Sequence, residues 1–371
     1  DDGAPDIVGV STFSATSYFV PPKGTTAQRP QNPQGGDLRF NTDTASLEYF
    51  KGDTLNWSQI EMTSPDLDGG ARAVYAGGYT APASPYPSTN IMDYIAIPTL
   101  GNAIDFGDLL ANTVGVRPAA SAIRGLFYGG GSTHGTSGAT IDYITFSSTG
   151  NAADFGDSSA SRGGGGPSGC ASSTRGIFAG GFTTGPTVFK DEIEYVTISQ
   201  TGNAVDFGNL TATGNALSST SSSTRGLFFG GYNPTTNNKI DYITIATTGN
   251  AADFGDLIDK DQRTSACSNS TRGLIMGGKS PGGQSNVITY VTIATLGNAV
   301  DFGDLLDTYV WTASAASPTR AVKGGGNNSS DTDSDVIEYV TIATTGNSID
   351  FGNLTEARYS LGAVSNAHGG L

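Results

Sequence analysis

The nonapeptide TGNAADFGD at Thr149–Asp157 belongs to a set of six, the others being LGNAIDFGD, TGNAVDFGN, a second TGNAADFGD, LGNAVDFGD and TGNSIDFGN. Repetition at a near-constant period constrains a fold more than any other sequence feature, because every copy must bury the same face against its neighbours. Ahead of each copy stands an arginine-led apolar run closed by paired glycines: ARAVYAGG, IRGLFYGG, TRGIFAGG, TRGLFFGG, TRGLIMGG and TRAVKGGG. Its arginines are Arg72, Arg124, Arg175, Arg225, Arg272 and Arg320, spaced by 52, 51, 50, 47 and 48 residues. Between run and nonapeptide lies a segment such as IDYITI at Ile240–Ile245, alternating with the period of two expected of a half-buried strand.

The regular segments favour Val, Ile, Tyr, Phe and Thr, and 53 glycines supply turns, so an all-β chain with almost no helix is expected. A period near 50 residues suits a sheet of four short strands, the blade of a β-propeller. The small-residue segment before each arginine, such as TSACSNS at Thr264–Ser270, is expected to be the innermost strand. The arginine run is the second, the IDYITI type the third, and the Ala-x-Asp-Phe run the outer fourth, with its phenylalanine between blades. Repeat one lacks an inner strand, while Leu361–Leu371 (LGAVSNAHGGL) aligns with Thr264–Leu274 (TSACSNSTRGL). The predicted architecture is therefore a six-bladed propeller over 68–371, with 358–371 completing blade one, preceded by a small β-module on an extended arm over 1–67.

Asp-Phe-Gly holds magnesium in protein kinases, but a site needed once is not copied six times, and the accompanying kinase motifs are missing. GLIMGGKS at Gly273–Ser280 matches the phosphate-loop pattern, yet Leu274-Ile275-Met276 are themselves strand where that motif needs a loop. A net charge of −15 opposes nucleic-acid binding, which depends on Lys and Arg displacing counterions. No apolar run approaches the ~20 residues of a membrane span. Cys170 and Cys267 read as buried free thiols. His134 stands in a Gly/Ser/Thr loop, and His368 falls near the closure, where a polar cap is expected. No metal, cofactor or catalytic residue is expected. The repeated Asp105, Asp154, Asp206, Asp253, Asp301 and Asp350 are expected to fix turns through local amides or to pair with the repeated arginines.

The Gly-Gly pair, the tyrosine on the following strand (Tyr94, Tyr143, Tyr195, Tyr242, Tyr290, Tyr339) and a later aromatic together resemble the kelch family. Kelch units usually end in tryptophan, whereas here the residue is Phe106, Phe155, Phe207, Phe254, Phe302 or Phe351. Between second and third strands the repeats differ most, and these loops are expected to share one face, with Tyr79, Tyr86, Phe182, Phe189 and Tyr232 as candidate ligand-binding aromatics. The amino-terminal segments GTTAQRP and GDLRFNTDTASLEYFKG, with a later tryptophan, resemble a stretch recurring in tail-fibre and other virion proteins of marine tailed bacteriophages. That resemblance implies a virion structural protein (tail fibre, appendage or capsid decoration) that docks other virion proteins through its amino-terminal region. It implies a homo-oligomer, and a host-surface glycan or protein as partner. The alternatives are a propeller glycoside hydrolase or lyase acting on host polysaccharide, and a bacterial extracellular adhesin.

Overall fold

A computed structural model describes residues 21–43, 46–52, 57–60, 71–81, 86–132, 136–163 and 168–371. His134 lies outside them. The chain divides into two compact units, Asp1–Pro65 and Asp66–Leu371. The described residues of both are all-β, and a single 3-10 turn, Thr26–Gln28, is the one helical element among them.

In the first unit Leu38–Asn41, Ser46–Phe50 and Trp57–Ile60 form the antiparallel meander that their alternation suggests. The Pro-rich arm adds a fourth strand, Lys23–Gly24, running parallel to Phe40–Asn41. A buried polar network explains why the arm returns. Glu48, fully enclosed, accepts hydrogen bonds from Nε and Nη2 of Arg29, both at 3.0 Å, and a third from Asn41 Nδ2. Arg29 holds the Glu48 carboxyl below the ordinary carboxylate range. Thr26 joins through its amide to Asp43 and its hydroxyl to Asn41. The segments TTAQRP, RFNTD and LEYF are thus tied together through one set of bonds.

In the second unit each repeat folds into one antiparallel sheet in chain order. Repeat two consists of Arg117–Ala120, Arg124–Tyr128, Gly138–Thr145 and Ala153–Arg162. Repeats four to six follow the same plan, and repeat three adds a short strand, Phe182–Thr183, beside its third. Repeat one takes its first strand from the far end of the chain: Gly362–Ser365 pairs with Arg72–Ala76, Val364 opposite Val74. The first strands (RPAA, GCA, SSTS, SACS, ASAA, GAVS) are buried at every residue. Each touches two others: those of repeats two to six follow one another, and Gly362–Ser365 touches both repeat six and repeat two. Most of these side chains are small, as suits strands that converge so closely; the large exception is Arg117, whose buried guanidinium donates to Ser168 Oγ and Gly163 O.

The apolar cores lie between sheets. Phe106 of repeat one packs with Val116, Phe127 and Ile144 of repeat two, and Phe351 of repeat six packs with Ile95 and Ile97 of repeat one. Each of the six phenylalanines also meets the tyrosine of its own third strand edge-on at 5.9–6.1 Å.

Two polar joints accompany each core. Nη1 of Arg72, Arg124, Arg175, Arg225, Arg272 and Arg320 donates to a main-chain carbonyl of the next repeat: Phe146, Ile198, Ile245, Ile293, Ile342 and, returning to repeat one, Ile97, at 2.7–3.1 Å. The same guanidinium lies 4.6–5.1 Å over the tyrosine of its own third strand. In the opposite sense, the asparagine of each nonapeptide accepts the amide of the fourth strand before it, from Asp108 to Asn151 through Asn353 to Asn102. The glycine of Asp-Phe-Gly permits this approach. At Gly107 φ is +137°, and a Cβ would stand 2.4 Å from the Gly150 carbonyl oxygen of repeat two. The triplet is therefore a joint between sheets.

One expectation needs correction. Asp105, Asp154, Asp206, Asp253, Asp301 and Asp350 are exposed, and among the described residues none of their carboxylates makes a hydrogen bond or ion pair. Alternation decides this: the neighbouring phenylalanine points inward, so the aspartate points outward, and the arginines are already engaged by carbonyls and tyrosines.

The chain ends among the first strands, which enclose a space of about 50 Å³. There His368 Nε2–H donates to Ala120 O at 2.7 Å and Nδ1 accepts from Gly370 N at 3.0 Å, while Gly369 N donates to Ser268 O at 2.8 Å. A Cβ on Gly369 would lie 2.1 Å from Asn269 O, and one on Gly370 1.8 Å from Ala171 O, so these close approaches need glycine. No carboxylate lines this space among the described residues, and its enclosure holds the His368 imidazole below its ordinary pKa of 6.5. Below that ordinary value the unfolded chain gains a proton the folded chain resists, so stability falls as pH drops from 6.5 toward the folded pKa. Thermal melts at pH 7.5 and 5.5 should show a drop in midpoint that His368→Gln reduces; an equal drop in the variant would exclude this histidine as the cause.

Candidate functional site

Six different sheets contribute to a depression of about 440 Å³ on the second unit. Its walls come from the loops after the Gly-Gly pairs of repeats one to four, where backbone with positive φ at both glycines turns the chain sharply out of the second strand. All five candidate aromatics, Tyr79, Tyr86, Phe182, Phe189 and Tyr232, line it. Tyr79 and Tyr86 meet edge-on at 6.1 Å, and Phe189 and Tyr232 at 5.9 Å. Except for the buried Tyr79, these rings are half-buried and keep faces open to a ligand.

The floor comes from residues that sequence reasoning missed, in the short turns entering the first strands. Ala216, Arg263, Trp311 and Ser360 all have left-handed backbone, φ +58° to +61°, and Gly115 is equivalent at +66°. Their amides form a chain of hydrogen bonds: Gly115 N to Ser360 O at 2.8 Å, Ser360 N to Trp311 O at 2.7 Å, Trp311 N to Arg263 O at 3.0 Å, and Arg263 N to Ala216 O at 3.0 Å. Left-handed backbone costs a non-glycine residue about 1–2 kcal/mol, and such strain clusters at ligand-holding positions. The floor carries Trp311 with the Arg263 guanidinium stacked 4.5 Å from its ring, and Tyr359 packs at 5.0 Å from Tyr79. The one available signal was a large side chain, Arg263 or Trp311, directly before an otherwise small-residue strand.

The electrostatics follow from this enclosure. Burial pushes the Tyr79 phenol up to about 12, with Tyr86 reinforcing it, and raises Tyr359 as well, so both remain neutral donors near pH 7. Burial also lowers the Arg263 pKa. No aspartate, glutamate, histidine, cysteine or lysine lines the depression among the described residues. The pair of carboxylates that glycoside cleavage requires is accordingly not among its described walls.

Buried ionisable groups elsewhere serve the joints. The third strand of most repeats carries an enclosed acid, Asp93, Asp142, Glu194, Asp241 or Glu338, which accepts a main-chain amide from the preceding repeat, in or just after its fourth strand. These acids were also missed. Lys323, whose burial depresses its pKa to about 8, is among the described residues the amine that most resembles a catalytic group. It is sealed between Tyr309, 3.2 Å from the ring centre, and Glu338 at 3.4 Å, and it does not line the depression. Cys170 and Cys267 are buried free thiols whose pKa burial raises. No group of three or more metal-ligating side chains gathers among the described residues.

No protein-family model matches the chain, and no curated protein matches it.

Proposed function

We propose that the second unit is a six-bladed, kelch-like β-propeller closed by its own carboxy-terminal strand, and that the protein is a non-enzymatic virion subunit of a tailed bacteriophage. The propeller reading is supported by joints that run from each repeat to the next and return from Arg320 to Ile97. In this reading the first unit docks on other virion proteins, the chain works as a homo-oligomer, and the depression holds a host-surface glycan. One observation carries the binding function: aromatic rings from several repeats converge on a concave site whose described walls contain no aspartate, glutamate, histidine, cysteine or lysine. Small-molecule sites have this character, mostly apolar with few polar groups, and volumes of roughly 300–1,000 Å³.

The test applies the full chain to a panel of immobilised bacterial surface polysaccharides. Retention on at least one polymer is expected, with polymer length unchanged by size-exclusion chromatography. Tyr79→Ala combined with Phe189→Ala should weaken retention by roughly 10-fold or more, the scale of two lost aromatic contacts. Shortening of the polymer would overturn the non-enzymatic reading, and absence of the chain from purified particles by mass spectrometry would overturn its place in a virion.

A further inference from the structure

The floor of the depression holds a positive charge with no counter-charge. Arg263 takes part in none of the ion pairs among the described residues, and its Nε is shut from solvent without a hydrogen-bond partner among them. The guanidinium is held flat on Trp311 at 4.5 Å, its backbone kept in a left-handed conformation by the chain of floor amides. A half-buried guanidinium whose Nε lacks a partner is costly, and a planar fork held on an aromatic face is preorganised for a carboxylate. Around it stand the half-buried rings of Tyr86, Phe182, Phe189 and Tyr232, with the amide side chains of Asn215 and Gln262 alongside.

From this arrangement we propose that the depression selects an acidic sugar, a uronic or other carboxylate-bearing residue of a polysaccharide, with its carboxylate on Arg263 and its ring against the aromatic walls. The inference rests on the glycan-binding reading above and narrows it to a ligand class. A peptide ending in a free carboxylate offers the same charge, but extended peptides gain affinity by adding hydrogen bonds along an exposed strand edge. Here the floor amides of Gly115, Arg263, Trp311 and Ser360 are already spent on one another, which favours a compact ring over a strand.

The experiment measures binding of the full chain to tri-galacturonate, to its methyl ester, to a neutral cello-oligosaccharide and to a set of peptides with free carboxy termini. Tri-galacturonate should bind at least roughly 10-fold more tightly than its methyl ester, and Arg263→Gln should remove that preference, the size expected of one charge-assisted bidentate contact. The ester comparison uses the unaltered chain, so it decides even if Arg263→Gln folds poorly. Equal binding of acid, ester and neutral sugar, all lost with Tyr79→Ala and Phe189→Ala, would overturn the acidic preference and leave the glycan reading standing. Capture of peptides with no sugar bound would overturn both.

Discussion

A chain ending at Ser360 is expected to lose cooperative unfolding of its second unit. The missing segment contributes buried Leu361, Ala363 and Val364 and the strand that pairs with Arg72–Ala76, where Val74 and Tyr75 are fully buried. Burial of the lost side chains is worth about 1.5–3 kcal/mol for each large one, and the exposed strand adds roughly 1 kcal/mol per lost hydrogen bond. The total, on the order of 10 kcal/mol, matches the ~5–15 kcal/mol that a whole domain has to spare. It also leaves an apolar strand edge open to aggregation. Circular dichroism during urea titration measures this: the full chain should give a sharp transition and the truncated chain a shallow one or none. A truncated chain with an unchanged midpoint would mean that the carboxy-terminal strand contributes little to the fold.

The second large effect is expected at Arg358. Its Nη2 lies 2.7 Å from Asp93 Oδ2, and both side chains are wholly enclosed. Arg358 also donates to Ile91 O at 2.7 Å, and Asp93 receives the amide and hydroxyl of Thr355. Arg358→Met would leave a buried carboxylate without its cation, a loss of roughly 3–5 kcal/mol, whereas exchanging a whole buried pair for apolar or neutral groups is often close to neutral. The double variant Arg358→Met with Asp93→Asn should therefore recover most of the lost urea midpoint. Equal damage in single and double variants would show that Arg358 acts through packing rather than charge.

How far the molecule could be read beforehand depended on whether a residue's partner is local or repeated. Strand order followed from alternation, and the fate of the phenylalanines followed from their place in every copy. The carboxy-terminal strand was legible because repeat one lacked what Leu361–Leu371 resembled. The wall aromatics were legible because they stand where the copies differ. Arg263, Trp311 and Tyr359 were not, since their convergence depends on turns separated by about 50 residues that meet only in three dimensions. The enclosed acids were hidden for another reason: an aspartate beside a tyrosine on an alternating strand does not announce that the next sheet covers it. The outward Asp-Phe-Gly aspartates were given bonds they do not make because the arginines nearby offered a plausible match in one dimension, while those arginines reach a neighbouring repeat instead.

The joints between repeats have an evolutionary corollary. Every repeated arginine grips a main-chain carbonyl, and every nonapeptide asparagine takes a main-chain amide. Neither contact reads the identity of the neighbour's side chains, so at these ties one copy can stand beside any other. A gene built this way can exchange single copies or rewrite their outward loops while these seams stay intact.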